Sequence, residues 1–273
     1  MTASALSLEL QNKYKQLKET LTEYNKVIVA FSGGIDSSLL AFVSHQVLGN
    51  NMLAVTSGSA SLKQADLKLT RLLARTWNMP HRVIQTCELQ NPNYAANPVN
   101  RCYFCKTELY QQLSAIAQNE GFQWIVNGTN TDDLGDHRPG LKAAADHQVQ
   151  SPLVTCGFSK QDIRALALFL ELPNAEKPQA ACLSSRIPYG SAVTAEVLSQ
   201  IERAETVLAE LGFTQFRVRH HAEIARLELL ESEMERALRQ HQLIQERLKQ
   251  CGYTYVTLDL GGFRSGSMNE FLL

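Results

Sequence analysis

Ser32-Gly33-Gly34-Ile35-Asp36-Ser37 is where residue type and spacing point most directly to chemistry in this 273-residue chain. Two glycines let the backbone approach an anion closely, and Ser32 and Ser37 add hydroxyl donors. Val27-Ile-Val-Ala-Phe31 before it is a short apolar, β-branched run, the pattern of a buried parallel strand. The stretch 37–48 after it carries Leu39, Leu40, Phe42 and Val43 at helical spacing, opened by Asp36. Strand, glycine turn and helix in that order aim free N–H groups and the positive end of the helix dipole at one spot, which binds anionic oxygen. The hexapeptide lacks the Gly-Lys-Ser ending of a Walker loop and the spacing of the dinucleotide fingerprint. A ligand-free glycine turn is the alternative, and the complete hexapeptide at a strand-to-helix junction argues against it.

A second polar loop, Asn127-Gly128-Thr129-Asn130-Thr131-Asp132-Asp133, follows the apolar run Trp124-Ile-Val. In an open parallel sheet the ligand crevice lies outside the carboxyl ends of the strands, so both loops are expected to face one nucleotide. Asp132 and Asp133 either help hold Mg²⁺ or cap the following turn. Cys102-Tyr-Phe-Cys105 is a C-x-x-C, which alone fits a zinc half-site, a redox pair or two cluster ligands. No second C-x-x-C or His pair completes a four-ligand zinc site. With Cys182, three thiolates and an open fourth position suit a [4Fe–4S] cluster with one iron free to bind an exogenous group; three unrelated reduced thiols are the alternative. Cys87, Cys156 and Cys251 have no partners at metal-site spacing and are expected to pack in the interior. Arg217 and Arg219 share one strand face at i, i+2, with His220, His221 and Arg226 close by. That is either a local anion-binding cluster or a solvated edge strand.

The elements that must hold these residues alternate. Beyond the first strand the pattern predicts helix 6–23 ahead of it, strand 53–56, helix 62–77, strand 82–85, helix 106–119, strand 124–127 and helix 161–170. Repeated βα units imply a mostly parallel sheet covered on both faces, an α/β, Rossmann-like fold. A proline-bearing segment over 172–190 marks the expected boundary between a domain over 1–190 and a small α+β domain over 191–273. The latter is predicted to hold a helix over 195–211, strands at 216–219 and 224–228, a charged helix over 231–250 and a strand at 253–258. With 26 Lys+Arg against 27 Asp+Glu the formal net charge is −1, so the whole-surface attraction behind bulk DNA, RNA or lipid binding is missing and phosphate recognition must be local. No apolar run approaches a membrane span and the first 21 residues lack a signal-peptide core, so a cytoplasmic location is expected, where six cysteines are not a disulfide framework.

The hexapeptide resembles the pyrophosphate loop (PP-loop) of the N-type ATP pyrophosphatases, the class of GMP synthetase, NAD synthetase and tRNA-thiolating enzymes. That resemblance implies adenylation, with ATP cleaved between its α- and β-phosphates beside Mg²⁺. Together with Asp136-His-Arg-Pro-Gly-Leu-Lys142, Ser184-Ser-Arg-Ile-Pro-Tyr-Gly190, Phe216-Arg-Val-Arg-His220 and Leu258-Asp-Leu-Gly-Gly-Phe-Arg-Ser-Gly266, it is similar to the LarE family across nearly the whole chain. The family implies an ATP-dependent sulfur transferase of nickel-pincer cofactor biosynthesis that acts on pyridinium-3,5-biscarboxylic acid mononucleotide. It also implies a homohexamer, ATP contacts at Ser32, Gly33, Gly34, Asp36, Ser37, Gly128, Thr129 and Asp132, and substrate-phosphate contacts at Arg217 and Arg219. Asp36, Cys182 and Arg186 are the expected catalytic residues, and Glu205 matches a carboxylate associated with a divalent metal. Some members carry one cysteine before Ser-Ser-Arg and sacrifice its sulfur. This chain departs from them by also having Cys102 and Cys105, so it resembles the cluster-bearing kind, in which Cys102, Cys105 and Cys182 hold [4Fe–4S] with a transferable sulfide.

Arg186 binds either an activated carboxylate or pyrophosphate, or else holds its own loop to a neighbouring carboxylate; Arg264 is a candidate for an intersubunit contact. A tRNA thiolase would share the loop and the cysteines but calls for a basic RNA-binding surface, which a net charge of −1 does not supply. A nucleotide sensor without turnover is the non-enzymatic alternative.

Overall fold

The computed structural model describes residues 6–135, 139–178 and 181–264. Asp136, His137 and Arg138 of one family motif, and Ser265 and Gly266 of another, lie outside them. The chain forms two compact units, one over 1–88 and 100–180, the other over 89–99 and 181–273.

In the first unit α1 (Leu8–Tyr24) leads into β1 (Val27–Ala30), α2 (Ile35–Leu48), β2 (Met52–Ser57), α3 (Gln64–Thr76) and β3 (His81–Ile84). After the short α4 (Pro92–Ala95), which belongs to the second unit, come α5 (Arg101–Glu120), β4 (Trp124–Val126), α6 (Pro139–Asp146), α7 (Pro152–Thr155) and α8 (Lys160–Phe169). The four strands run parallel in the order β3-β2-β1-β4, as the α/β pattern requires. The central strand β1 is buried on both faces, which is why it reads Val-Ile-Val rather than alternating. Val29 and Phe31 meet Leu39, Leu40, Ile163 and Leu166 on one side, while Ile28 meets Leu109, Tyr110 and Leu113 on the other. Each such side chain contributes about 1.5–3 kcal/mol when fully buried, and together they hold the glycine turn at the carboxyl end of β1.

α5 begins at Arg101, five residues ahead of the expected start at 106, so Cys102 and Cys105 stand within the first five residues of a helix. The early turn has no apolar repeat to reveal it; its buried member is Arg101.

The second unit carries α9 (Ala195–Glu210), β5 (Phe216–His221), β6 (Ile224–Leu229), α10 (Glu231–Arg239), α11 (His241–Gln250) and β7 (Tyr255–Leu258). β5 and β6 are antiparallel and β6 and β7 parallel, so the parallel pair needs the two helices between them as its crossover. The charged stretch expected as one helix is two, joined at Gln240. The 89–99 segment belongs to this unit through long-range bonds: the Tyr94 and Ser184 hydroxyls stand 2.6 Å apart, the Asn97 amide donates to Pro188 O at 2.7 Å, and Val193 N donates to Ala95 O at 2.8 Å. Residues 181–190, assigned from the prolines to the first domain, therefore pack with the second unit.

Candidate active site

The glycine turn is shaped by its own serines. Ser37 Oγ donates to Gly34 O (3.1 Å) and accepts from Ser32 N (3.2 Å), and the Ser32 hydroxyl stands 3.1 Å from it. Gly33 has φ +73°, a left-handed conformation that glycine adopts without strain, and a Cβ there would stand 2.9 Å from Thr70 Cγ2. α2 begins with Gly34 as its cap and no side chain bonded to its first amides, which leaves those donors and the dipole for an anion.

The second loop adjoins the first. A Cβ on Gly128 would lie 2.7 Å from Ser37 N and 2.9 Å from Ser37 Cα, so only glycine lets this backbone rest on the first turn of α2. Thr129 N bonds back to Asn127 Oδ1 at 3.0 Å. Asp133 Oδ2 accepts from Asn130 N at 3.1 Å within its own turn, whereas Asp132 Oδ2 accepts from Lys160 N at 2.8 Å, at the start of α8.

Three residues at this site were not singled out in the sequence. Lys160 Nζ reaches Asp36 Oδ1 at 2.6 Å; the lysine is the first residue of α8, next to the Ser159 cap. Asn174 donates to Gly33 O (3.1 Å) and Ser38 Oγ (2.8 Å), and Lys177 bridges Gly33 O (3.4 Å) and Asp66 (2.7 Å). The capping pattern Ser159-Lys-Gln-Asp162 was a signal for Lys160, whereas nothing local to Asn174 or Lys177 marks them.

In the second unit a separate cluster surrounds Cys182. Arg186, 0% exposed, donates to Glu205 Oε1 (2.8 Å) and Oε2 (3.2 Å), to the carbonyls of Ala181 (2.7 Å) and Cys182 (2.9 Å), and to Ser185 Oγ (2.9 Å). These bonds tie the Cys182 turn to Glu205. Glu205, the carboxylate expected near a divalent metal, is the counter-ion of that guanidinium and also accepts from Val218 N at 3.2 Å. Arg219 pairs with Glu228 through two bonds (2.9 and 2.8 Å) and donates to Ser185 O at 2.6 Å.

Arg217 lies over the Phe263 ring at 4.8 Å and bonds to Phe216 O. It makes no ion pair among the described residues. Burial, with Arg186 and Arg219 near it, pushes its guanidinium down to about 10. Arg226 also pairs with Glu228 (3.2 Å) and Asp259 (3.6 Å), so four arginines face three carboxylates and leave one positive charge that an oxyanion would balance.

The thiols divide by exposure. Cys102 and Cys182 are exposed and Cys105 half-buried, while Cys156 and Cys251 are buried and burial pushes both thiols up. Cys87, expected to pack, is exposed just past the end of β3. Cys102 and Cys105 belong to the first unit and Cys182 to the second. Among the described residues no three His, Cys, Asp or Glu are grouped to hold a metal ion. No helix among them is long and apolar enough to cross a membrane.

Comparison with known proteins agrees with the glycine turn. A family model described as NAD synthase matches residues 9–96. The chain is 40% identical to an uncharacterized protein of Synechocystis over 96% of this chain and 99% of that one. It is 28% identical to an uncharacterized protein of Methanocaldococcus jannaschii over 93% and 98%. It is 37% identical to the pyridinium-3,5-bisthiocarboxylic acid mononucleotide synthase of Lactiplantibacillus plantarum over 96% of each chain. At that identity over nearly full length, on a PP-loop α/β unit, the chain belongs to the LarE family, the family of that synthase.

Proposed function

We propose that this protein is an ATP-dependent sulfur transferase that converts pyridinium-3,5-biscarboxylic acid mononucleotide into its bisthiocarboxylic form. The observation that carries the reading is the uncapped first turn of α2 behind Ser32-Gly33-Gly34, with Gly128 seated against it and Lys160 on Asp36. Such a turn cradles a pyrophosphate group. A carboxylate is a poor electrophile until its oxygen becomes part of a leaving group. The substrate carboxylate therefore attacks the α-phosphorus, the bond to the β-phosphate breaks, and pyrophosphate leaves held by the loop amides and Lys160. Sulfur then adds to the acyl carbon and AMP departs, giving one thiocarboxylate; a second round gives the other.

Asp36, within the loop, would hold a Mg²⁺ bound with ATP, which would supply shielding of the phosphate charge. Arg217 and Arg219 take the substrate phosphate, and Arg186 fixes the backbone of Cys182 for the sulfur step. The thiols of Cys102, Cys105 and Cys182 are accessible and fit thiolate ligation of iron, unlike the buried pair. A [4Fe–4S] cluster held by them would offer an open iron for the transferable sulfide; with no cluster, Cys182 is itself the donor. We read the assembly as a homohexamer, testable by sedimentation.

The test is pyrophosphate release from ATP by anaerobically purified protein. Release that depends on the pyridinium mononucleotide supports the reading, and release without it, or none at all, overturns it. On the same sample, about four iron and at least four acid-labile sulfide per chain, lost in Cys102→Ala, identify the cluster route. A metal-free protein in which Cys182 loses about 34 Da, one H₂S, on turnover identifies the sacrificial one.

A further inference from the structure

A groove of about 610 Å³ runs between α3 and the edge strand β3. Its polar lining is Arg71, Arg75, His81, Asn50 and Asn78, with Met79 in its apolar floor. Asn50 and Asn78 stand just ahead of β2 and β3, so the groove opens at the amino end of the sheet, whereas the glycine turn follows β1 at the carboxyl end. Arg71 and Arg75 are one helical turn apart on the same face of α3, and neither forms an ion pair among the described residues. No carboxylate lines the groove.

His81, on the β3 side of the groove, is fixed by Thr56. Thr56 Oγ1 gives its one hydrogen to Phe31 O at 2.7 Å, so at 2.9 Å from His81 Nε2 it accepts, which puts the ring proton on Nε2. Nδ1 is then open to protonation when an anion arrives. Burial and the Arg71 charge lower the ring's affinity for a second proton.

We propose that this groove is a second phosphate site, in which Arg71, Arg75 and His81 bind the diphosphate group of a nucleotide-sized ligand. Two guanidinium forks one turn apart match the oxygens of adjacent phosphates, and the volume falls in the ordinary range of small-ligand sites.

Equilibrium dialysis of the full chain against labelled pyrophosphate, and separately against ADP, tests it. The Arg71→Ala/Arg75→Ala variant, whose truncated side chains are exposed, is expected to bind one equivalent fewer than wild type, with an unchanged melting temperature. Arg71→Lys/Arg75→Lys is expected to keep that equivalent about 10-fold more weakly, because charge without the fork is retained. Tighter binding of ADP than of pyrophosphate at this site assigns a nucleotide; equal binding assigns the diphosphate group alone. Stoichiometry and affinity identical in wild type and the double alanine variant would overturn the proposal.

Discussion

At the scale of the residue, Arg186 and Lys160 separate structural from chemical roles. Arg186 has no exposed surface and five donor contacts, and truncating it leaves Glu205 charged and buried. Breaking a buried pair by removing one partner costs about 3–5 kcal/mol. Arg186→Ala should therefore lower the urea midpoint strongly and speed alkylation of Cys182, whose carbonyl it no longer holds. Lys160 and Asp36 are each about a quarter exposed, so their pair stabilises by no more than about 1 kcal/mol. Lys160→Ala should leave the melting curve nearly unchanged yet lower the rate of pyrophosphate release by about 10²-fold, the scale of losing one charge-stabilising donor. Equal loss of activity and stability in that variant would deny it the phosphate role. The sequence displayed Arg186 but not its partner, since Glu205 lies 19 residues away on another element.

At the scale of the element, the strands and the helices with regular apolar spacing could be read directly, because β1 and α2 are buried through the residues whose pattern announces them. The start of α5 could not, since a buried arginine and two cysteines give no period, and the bond of the 89–99 segment to 184–193 depends on contacts some 90 residues apart. α8 shows how a local signal positions chemistry. Its capping box joins Ser159 and Asp162, Lys13 adds a bridge at 2.9 Å, and the helix so begun carries Lys160. Burial opposes ionisation of Asp162, but the Ser159 amide, Lys13 and the Ser159 hydroxyl outweigh it and hold the carboxyl below its ordinary range. A depressed carboxyl contributes stability above its unfolded pKa and loses it as the pH falls through the folded one. Asp162→Ala should cost about 1 kcal/mol at neutral pH, and the gap from wild type should close in acid below about pH 4, read by denaturant titration across pH. Gly128→Ala forces backbone apart at the first turn of α2, so ATP binding measured by calorimetry should weaken at least about 10-fold while the sheet stays intact.

At the scale of the whole molecule, charge separates the two sulfur-transfer readings. A tRNA thiolase must neutralise several phosphates, and its affinity then falls steeply with salt. Here the formal net charge is −1, and many of the cations already have partners: Arg82 with Glu120, Arg236 with Glu233, Arg239 with Glu235 and Arg247 with Glu210. Among the described residues, Arg217 beside Phe263 and the Arg71 and Arg75 pair on α3 form no ion pair and stand in small sites. Patches of that size fit a single mononucleotide or diphosphate, not a helical backbone. Unmodified tRNA should accordingly neither bind below about micromolar concentration at physiological salt nor stimulate pyrophosphate release, whereas the pyridinium mononucleotide should do both. Arg217→Ala should raise the KM for that mononucleotide while leaving the ATP affinity of the first unit unchanged. If the variant instead lost tRNA-stimulated turnover, RNA would be the substrate, and the small-molecule assignment would fall with it.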